Sequence, residues 1–275
     1  MSGTSESSPT LTATDQILRD FAEAVGSEGS VAIVGGRTRW ETGGASAGVD
    51  VRLLSAPSGV VEYVPEEMIA TVRCGTSTAE LNAELTAMGQ RTGLPERGGT
   101  VGGALAVGQN HLEVLGRGTV RSAFLQVRYI SAEGRIVTGG GPTVKNVTGF
   151  DLPRLMVGSL GTLGCLAEVI VRTNPIPAVS QWFECAEADP GATLAALLAP
   201  SAVLWDGTTT SVLVEGHAPD VAEQASRLAT IGPFVECDAK SEPQGYRWSL
   251  APADLHTLDQ HDTCLLYTSP SPRDL

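Results

Sequence analysis

The chain contains little positive charge. It has 18 Lys and Arg residues against 31 Asp and Glu among 275 residues, which gives a net charge of −13 at pH 7. Lys145 and Lys240 are its only lysines. Because proteins hold a nucleic-acid backbone with clustered Lys and Arg, this composition argues against a nucleic-acid-binding function.

Long apolar runs and a cysteine framework are also missing. No apolar stretch approaches the roughly 20 residues that span a bilayer, so we expect no direct membrane insertion. The five cysteines are odd in number and widely spaced, which favours neither a disulfide framework nor a metal site. The first ten residues are rich in Ser and Thr and do not resemble a secretion signal. These features predict a reduced, cytoplasmic protein without a bound metal.

The first 75 residues show one helical pattern followed by short strands. Leu18, Phe21 and Val25 recur at helical spacing between a capping Asp15 and a terminating Gly26, which predicts a helix. Runs of apolar and β-branched residues, separated by Gly, Pro or Ser, predict strands at 31–34, 49–54, 60–64 and 69–74.

Helix and strand signals alternate in the rest of the chain. Ser77 and Glu80 form a capping box, which predicts a helix with Leu81, Leu85 and Met88 on one face. Residues 98–118 are so rich in glycine that we predict no regular structure there. Further predictions are a hairpin over 124–138, a helix over 152–157 capped by Asp151, a strand over 165–172, and, beyond Pro175 and Pro177, a second α+β module.

Three glycine-dense segments lie within residues 35–164. Tight turns explain any one of them, but three clusters beside strands indicate backbone N–H groups brought close to a large anionic ligand. A concave set of N–H groups binds phosphate without a charged side chain. The G-x-G-x-x-G dinucleotide pattern fails, because Arg37 and Trp40 stand where glycines are required.

These segments resemble the FAD-binding domain of the vanillyl-alcohol oxidase (PCMH-type) flavoprotein family. VGGRT at 34–38 is similar to its pyrophosphate loop, and GTVGGA at 99–104 to its second flavin-contacting segment. KNVTGFDLPRLMVGSLGTLG at 145–164 is similar to the third, and most similar to the FAD-binding small subunits of bacterial glycolate oxidases.

The resemblance implies an α+β fold in which two α+β subdomains hold an extended FAD, followed by a truncated α+β cap domain. The implied organisation is a disordered tail at 1–14, the FAD-binding domain at 15–177, a partial cap or substrate domain at 178–263, and a tail at 264–275. We interpret that tail as non-native, because it resembles a translated adapter sequence.

The resemblance also assigns FAD contacts. Amides of residues 35–39 would face the pyrophosphate. Thr100 and residues 102–103 would pass beside the ribityl and diphosphate, and Gly161, Gly164 and the backbone of 165–166 would line the adenosine end. The implied residues are Gly35, Gly36, Arg37, Thr38, Arg39, Thr100, Val101, Gly102, Gly103, Gly161, Gly164, Cys165 and Leu166. Arg37 stands where the family commonly has a glycine. Thr38 stands where covalent members carry the flavin-linking His, which implies non-covalent FAD.

The function implied by the resemblance is FAD-dependent oxidation of a small 2-hydroxy acid such as glycolate, by hydride transfer to flavin. Partner subunits, one of them accepting electrons, are implied as well. The alternative is a non-catalytic subunit that holds FAD or assists assembly of a glycolate oxidase complex. The sequence identifies no catalytic residue: His111 is a candidate base, although we expect it to be hydrogen-bonded locally. Lys145, Arg117 and Arg121 either balance the flavin's negative charge or are ordinary surface charges.

Overall fold

The computed structural model describes residues 13–44, 50–142, 150–241, 247–249 and 265–267. These residues divide into two compact units. The first contains the described parts of 1–88, 94–109 and 120–173, and the second those of 89–93, 110–119 and 174–275. Residues 89–93 and 110–119 therefore belong to the second unit, although they lie inside the 15–177 segment defined from the sequence.

The helices and strands alternate along the chain, as expected for an α+β protein. The helices are α1 (Ala13–Val25), α2 (Thr78–Ala87), α3 (Val101–Val107), α4 (Val114–Arg117), α5 (Val120–Ala123), α6 (Leu152–Met156), α7 (Pro190–Ala196) and α8 (Ala218–Ile231). The strands are β1 (Ser30–Ile33), β2 (Val51–Leu54), β3 (Val60–Val64), β4 (Ile69–Arg73), β5 (Gln90–Thr92), β6 (Phe124–Ile130), β7 (Ile136–Gly140), β8 (Cys165–Pro175), β9 (Val179–Ala186), β10 (Ala202–Trp205), β11 (Thr209–Gly216), β12 (Val235–Cys237), β13 (Arg247–Ser249) and β14 (Leu265–Tyr267). Within the described ranges, no helix has the length and apolarity needed to cross a membrane.

The first unit is built on an antiparallel sheet with the strand order β3-β4-β8-β6-β7. Helices α2 and α3 bury their apolar residues against it in one cluster, which includes Leu81, Leu85 and Leu105. Helix α1 buries Leu18 and Phe21 in a second cluster. Strands β1 and β2 form a separate parallel pair, and the chain that leaves β1 leads into the first glycine segment.

Several local signals of the sequence are confirmed in the first unit. Ser77 Oγ accepts a hydrogen bond from Glu80 N at 3.0 Å, as the capping box requires. The predicted cap of α6 is present as well, since Asp151 Oδ1 accepts from Arg154 N at 3.2 Å. Helix α1 ends where predicted but begins at Ala13, before the expected cap. Met88, predicted on the apolar face of α2, is 57% exposed, because the helix ends before it.

The prediction that residues 98–118 lack regular structure is wrong. Helices α3 and α4 lie there. Thr100 caps α3 by accepting a hydrogen bond from Gly103 N, and its apolar residues Val101, Ala104 and Leu105 recur at helical spacing and are buried. Tertiary packing therefore outweighs the low helix propensity of glycine in this segment.

The second unit contains a sheet with the strand order β12-β9-β11-β10-β14-β13. Helix α8 buries Val221 and Leu228 in a cluster with residues of β9, β10 and β11. Strand- and helix-like patterns at 181–185, 212–216 and 221–230 indicate β9, β11 and α8, whereas α7, β10 and β12 were not predicted from the sequence. Strand β14 lies within the segment interpreted as a non-native tail, and it pairs with Leu204 and Trp205 of β10.

A paired Arg and Glu link two segments of the second unit. Arg91 Nη1 and Nη2 donate to Glu215 Oε1 and Oε2, both at 2.7 Å. The two side chains are only 13% and 6% exposed. Burial acts to raise the pKa of Glu215, but the hydrogen bonds and charge of Arg91 outweigh it, so the pKa lies below its usual value.

This pKa shift makes the stability contributed by Glu215 dependent on pH. A carboxylate whose pKa is lower in the folded than in the unfolded state contributes its full stabilisation of the fold at pH values above its pKa in the unfolded state, about 4.3. The contribution is lost as the pH falls from there through the folded pKa. We expect the difference in free energy of unfolding between wild type and Glu215→Gln to be constant from neutral pH to about pH 5 and to shrink below it. Urea unfolding at a series of pH values measures this; a constant difference down to pH 3 contradicts the assignment.

Candidate functional site

The first glycine segment leaves its backbone N–H groups available. Val34 N donates to Leu54 O at 2.7 Å and so extends the β1–β2 pairing by one residue. Beyond Val34 the chain turns away from the sheet. The N–H groups of residues 35–38 donate to no acceptor within the described part of the chain. Four consecutive donors of this kind can bind an anion.

The first and second glycine segments are packed against each other so closely that larger residues are excluded. A Cβ added to Gly35 would lie 2.5 Å from Thr100 Oγ1, and one added to Gly36 would lie 2.7 Å from Gly99 Cα. A Cβ on Gly99 would lie 2.9 Å from Thr38 Oγ1. At Gly36 the obstacle is the backbone of the second segment, whereas at Gly35 and Gly99 it is a threonine side chain. Close approach of the two segments therefore favours glycine at these positions, most strictly at Gly36.

The second segment mainly supports the first. Gly102 N donates to Cys74 O at 2.8 Å, and Gly103 N donates to the Thr100 hydroxyl at 3.2 Å. A Cβ on Gly102 would lie 2.8 Å from the Cβ of Cys74. Because these two amides bond within the protein, the second segment offers fewer free donors than its glycine content suggests.

The third segment is hydrogen-bonded to the end of α3. Gly158 N donates to Leu105 O at 3.0 Å, and Leu160 N donates to Ala106 O at 2.9 Å. Leu160 also approaches the first segment, since a Cβ on Gly43 would lie 2.8 Å from its Cδ1. All three glycine segments therefore converge, as the sequence argument requires.

A cleft of about 760 Å³ lies between the three segments, entirely within the first unit. This volume falls in the range of small-molecule and cofactor sites, roughly 300–1,000 Å³. Of the residues implied by the resemblance, the cleft is lined by Gly35, Gly36, Arg37, Thr38, Arg39, Thr100, Gly102, Gly103, Gly161, Gly164, Cys165 and Leu166. Val101 is the exception: its side chain is fully buried in the core.

A family model described as an FAD binding domain matches residues 10–140. This part of the chain is an FAD-binding domain. Its α+β architecture is that of PCMH-type FAD-binding proteins: the solved structure of an alkyldihydroxyacetonephosphate synthase superposes with a TM-score of 0.61. That superposition covers 79% of this chain and 48% of the other, at 16% identity, and so concerns the fold alone.

Two curated relatives are glycolate oxidase subunits. Glycolate oxidase subunit GlcE of Escherichia coli is 34% identical over 170 residues, which cover 60% of this chain and 48% of the relative. Glycolate oxidase subunit GlcD of Bacillus subtilis is 27% identical over 206 residues, which cover 70% of this chain and 44% of the relative. The chain therefore spans about half the length of these relatives.

Three observations indicate that the cleft of the FAD-binding domain can hold the diphosphate of FAD. Residues 35–38 present free N–H groups, the adjoining glycines leave no room for a Cβ, and Arg37 and Arg39 line the same cleft. The net charge of −13 would otherwise repel an anion. Local donors and two guanidinium groups offset that repulsion.

Sequence reasoning missed several cleft-lining residues of the FAD-binding domain. Trp40 lies two residues beyond the loop. The sequence could have identified it, because an aromatic residue is unusual so close to a glycine-rich turn. Cys74, at the end of β4, carried none, because its approach to Gly102 is a through-space contact. The other cleft residues that were missed are Val31, Ala32, Ile33, Glu41, Thr42, Gly43, Gly44, Ala56, Gly98, Ala106 and Val107. Gly99, Ala104, Leu160 and Thr162 also line the cleft; they lie in the segments indicated from the sequence but were not singled out.

The two thiols at the cleft are not activated nucleophiles. Burial raises the pKa of Cys74, and the negative charge of Glu168 raises it further. Burial also raises the pKa of Cys165. Both groups are therefore protonated at neutral pH, and a protonated thiol is a poor nucleophile. Cys165, the first residue of β8, instead packs against the apolar cluster that contains Leu18 and Phe21.

Of the remaining candidates, His111 and Arg117 have structural partners. His111 Nδ1 accepts a hydrogen bond from Glu113 N at 3.0 Å, so the expected local bond of this histidine is confirmed. The Arg117 guanidinium pairs with Glu113 in the second unit, and Arg121 is an exposed residue of α5. Lys145 lies outside the described residues. Within the described ranges, no group of three or more His, Cys, Asp or Glu side chains is arranged to hold a metal ion.

Proposed function

We propose that the chain is a subunit of an FAD-dependent oxidoreductase that oxidises a small 2-hydroxy acid such as glycolate. The observation that carries the proposal is the convergence of three glycine segments on one cleft with four free amides. The names of the relatives, both glycolate oxidase subunits, support the substrate class. When bound, FAD accepts a hydride from the carbon that bears the substrate hydroxyl.

In this proposal the residues of the cleft bind and orient the cofactor. The amides of residues 35–38 donate to the diphosphate, and Arg37 and Arg39 neutralise its charge. The apolar side chains of Val31, Ile33 and Val107 exclude water from the walls of the cleft. Residues 161–166 line the adenosine end, as the resemblance implies. Substrate contacts belong to the segment proposed as the partial cap, 178–263, and we assign no catalytic base.

Partner subunits complete the proposed enzyme. Turnover would require an acceptor for the electrons taken from the substrate, and we propose that a partner subunit supplies it, in a cytoplasmic complex. Two of the curated relatives, GlcE and GlcD, are named as subunits, which supports an assembly. A chain that only holds FAD or assists assembly is the competing function, and it shares the same cleft.

We expect the purified chain to hold FAD without a covalent bond. Thr38 stands at the position of the flavin-linking histidine of covalent relatives, and the thiols at the cleft have raised pKa values. Acid precipitation should therefore leave the yellow colour in the supernatant. A yellow pellet contradicts the non-covalent assignment, and a colourless preparation that takes up no added FAD contradicts the proposed function.

We expect glycolate, added without oxygen to the FAD-loaded chain, to bleach the absorption band of oxidised flavin. Hydride transfer to flavin reduces it in a single turnover without an electron acceptor. Diode-array spectra over time measure the bleaching, with dithionite as the control for complete reduction. Bleaching by dithionite but not by glycolate would contradict catalysis by this chain alone and favour the FAD-holding alternative.

A further inference from the structure

Arg37 adopts an unusual backbone conformation for its residue type. Its φ is +55°, in the left-handed region, where a Cβ is unfavourable and glycine is common. The loop therefore retains an arginine at a position whose backbone favours glycine. Strain of this kind is often found at functional sites, where the side chain is what the site needs.

The guanidinium of Arg37 is oriented by an aromatic ring. Its central carbon lies 5.5 Å from the centroid of the Trp40 ring, a distance at which the cation is attracted to the ring face. Both residues are exposed, and both line the cleft. An aromatic ring supplies no oxygen acceptor, so this contact leaves the N–H donors of the guanidinium available to an anion.

Arg39, the other arginine of the loop, is less available to an anion than Arg37. Arg39 has partners of its own within the protein. Within the described residues, the contact that Arg37 makes is the one with Trp40. Among the described residues that line the cleft, Glu41 is the one that is acidic. An anionic ligand in the cleft therefore meets Arg37 as the most available cation.

We propose that Arg37 binds the diphosphate of FAD through its guanidinium and that Trp40 is the residue that positions it. This inference rests on the proposed binding of FAD in the cleft. Trp40 reduces the side-chain freedom that Arg37 loses on binding, and so increases the affinity gained from each hydrogen bond. The contribution of Arg37 to FAD affinity then decreases as the salt concentration rises, because Arg37 and Trp40 are exposed to solvent.

The test measures FAD affinity by calorimetry with the full chain freed of cofactor, at roughly 0.1 M and 1 M salt. Arg37→Gly removes the charge and suits the left-handed backbone, so loss of folding does not explain its effect. We expect about 10-fold weaker binding at low salt, the effect of one charge-assisted hydrogen bond, and a smaller difference at high salt. Arg37→Asn, which also tolerates this conformation, should behave in the same way.

Trp40 and a distant arginine complete the set of variants. Trp40→Leu should weaken binding by a smaller factor than Arg37→Gly, and Trp40→Phe should restore part of it, because phenylalanine keeps a ring face. Arg135→Ala is the matched control, since its side chain is 76% exposed and does not line the cleft. If Arg37→Gly binds FAD like Arg135→Ala at both salt concentrations, the inference is wrong while the proposed function stands. If the wild type binds no FAD, both are wrong.

Discussion

Replacement of Gly36 by alanine is expected to weaken FAD binding by roughly 100-fold or more. The added Cβ would lie 2.7 Å from the Cα of Gly99 and 3.1 Å from its nitrogen. Both atoms belong to a backbone, so no side-chain rotation relieves the clash, and the two glycine segments must move apart. Loss of two charge-assisted hydrogen bonds costs about 3 kcal/mol or more, which corresponds to the stated factor.

The matched control is Gly232→Ala, also an exchange of glycine for alanine. Gly232 has an extended backbone, and an added Cβ would lie 3.4 Å from Cys185 Sγ, an ordinary contact. We expect this variant to bind FAD like the wild type. Calorimetric titration of both variants, with circular dichroism to verify folding, measures the difference. Equal affinity in the two variants would refute the role of close backbone approach at Gly36.

Elements with local signals could be predicted from the sequence. The capping box at Ser77 and Glu80 predicted the start of α2, and its hydrogen bond is present. The hairpin of β6 and β7 was predicted from its apolar runs and the turn at Gly134, whose φ is +71°. In such cases the residues that decide the structure are neighbours in the chain, so a short window contains the physical cause.

Elements stabilised by distant contacts could not be predicted. From the glycine content alone we predicted no helix at residues 98–118. Gly102 nevertheless lies in α3, at a position where packing against Cys74 leaves no room for a side chain. The two residues are far apart in sequence. The same limit applies to residues 89–93 and 110–119, which belong to the second unit through contacts with distant parts of the chain, such as Arg91 with Glu215 and Leu112 in one apolar cluster with Trp182.

The cleft was inferred in outline but not in detail. The glycine segments indicated an anion site, and the resemblance supplied the identity of the ligand. Which amides are free could not be read from the sequence: Gly102 and Gly103 bond within the protein, whereas residues 35–38 do not. The left-handed conformation of Arg37 was also not foreseeable, because a local pattern offers no reason to place an arginine there.

Replacement of Glu215 by alanine is expected to lower the free energy of unfolding of the second unit by about 3–5 kcal/mol. The change removes both acceptors of Arg91, whose side chain is 13% exposed. An arginine buried to this degree cannot recover the lost bonds from water, and Glu113 Oε2, at 3.8 Å from Arg91 Nη1, is too distant to replace them. Urea unfolding followed by tryptophan fluorescence and circular dichroism measures the change, with Trp182, buried in the second unit, as a local probe.

An exposed pair of the same chemistry provides the control. Glu223 and Arg227 lie one turn apart on α8 with an N–O distance of 3.0 Å, and their side chains are 59% and 39% exposed. Because water solvates both groups, Glu223→Ala should cost no more than about 0.5 kcal/mol. The double variant Arg91→Met with Glu215→Leu removes both charges and should be more stable than Glu215→Ala, since the cost lies in the unpaired arginine. If Glu215→Ala and Glu223→Ala destabilise equally, or if the double variant is the least stable, the buried pair does not hold the two segments together.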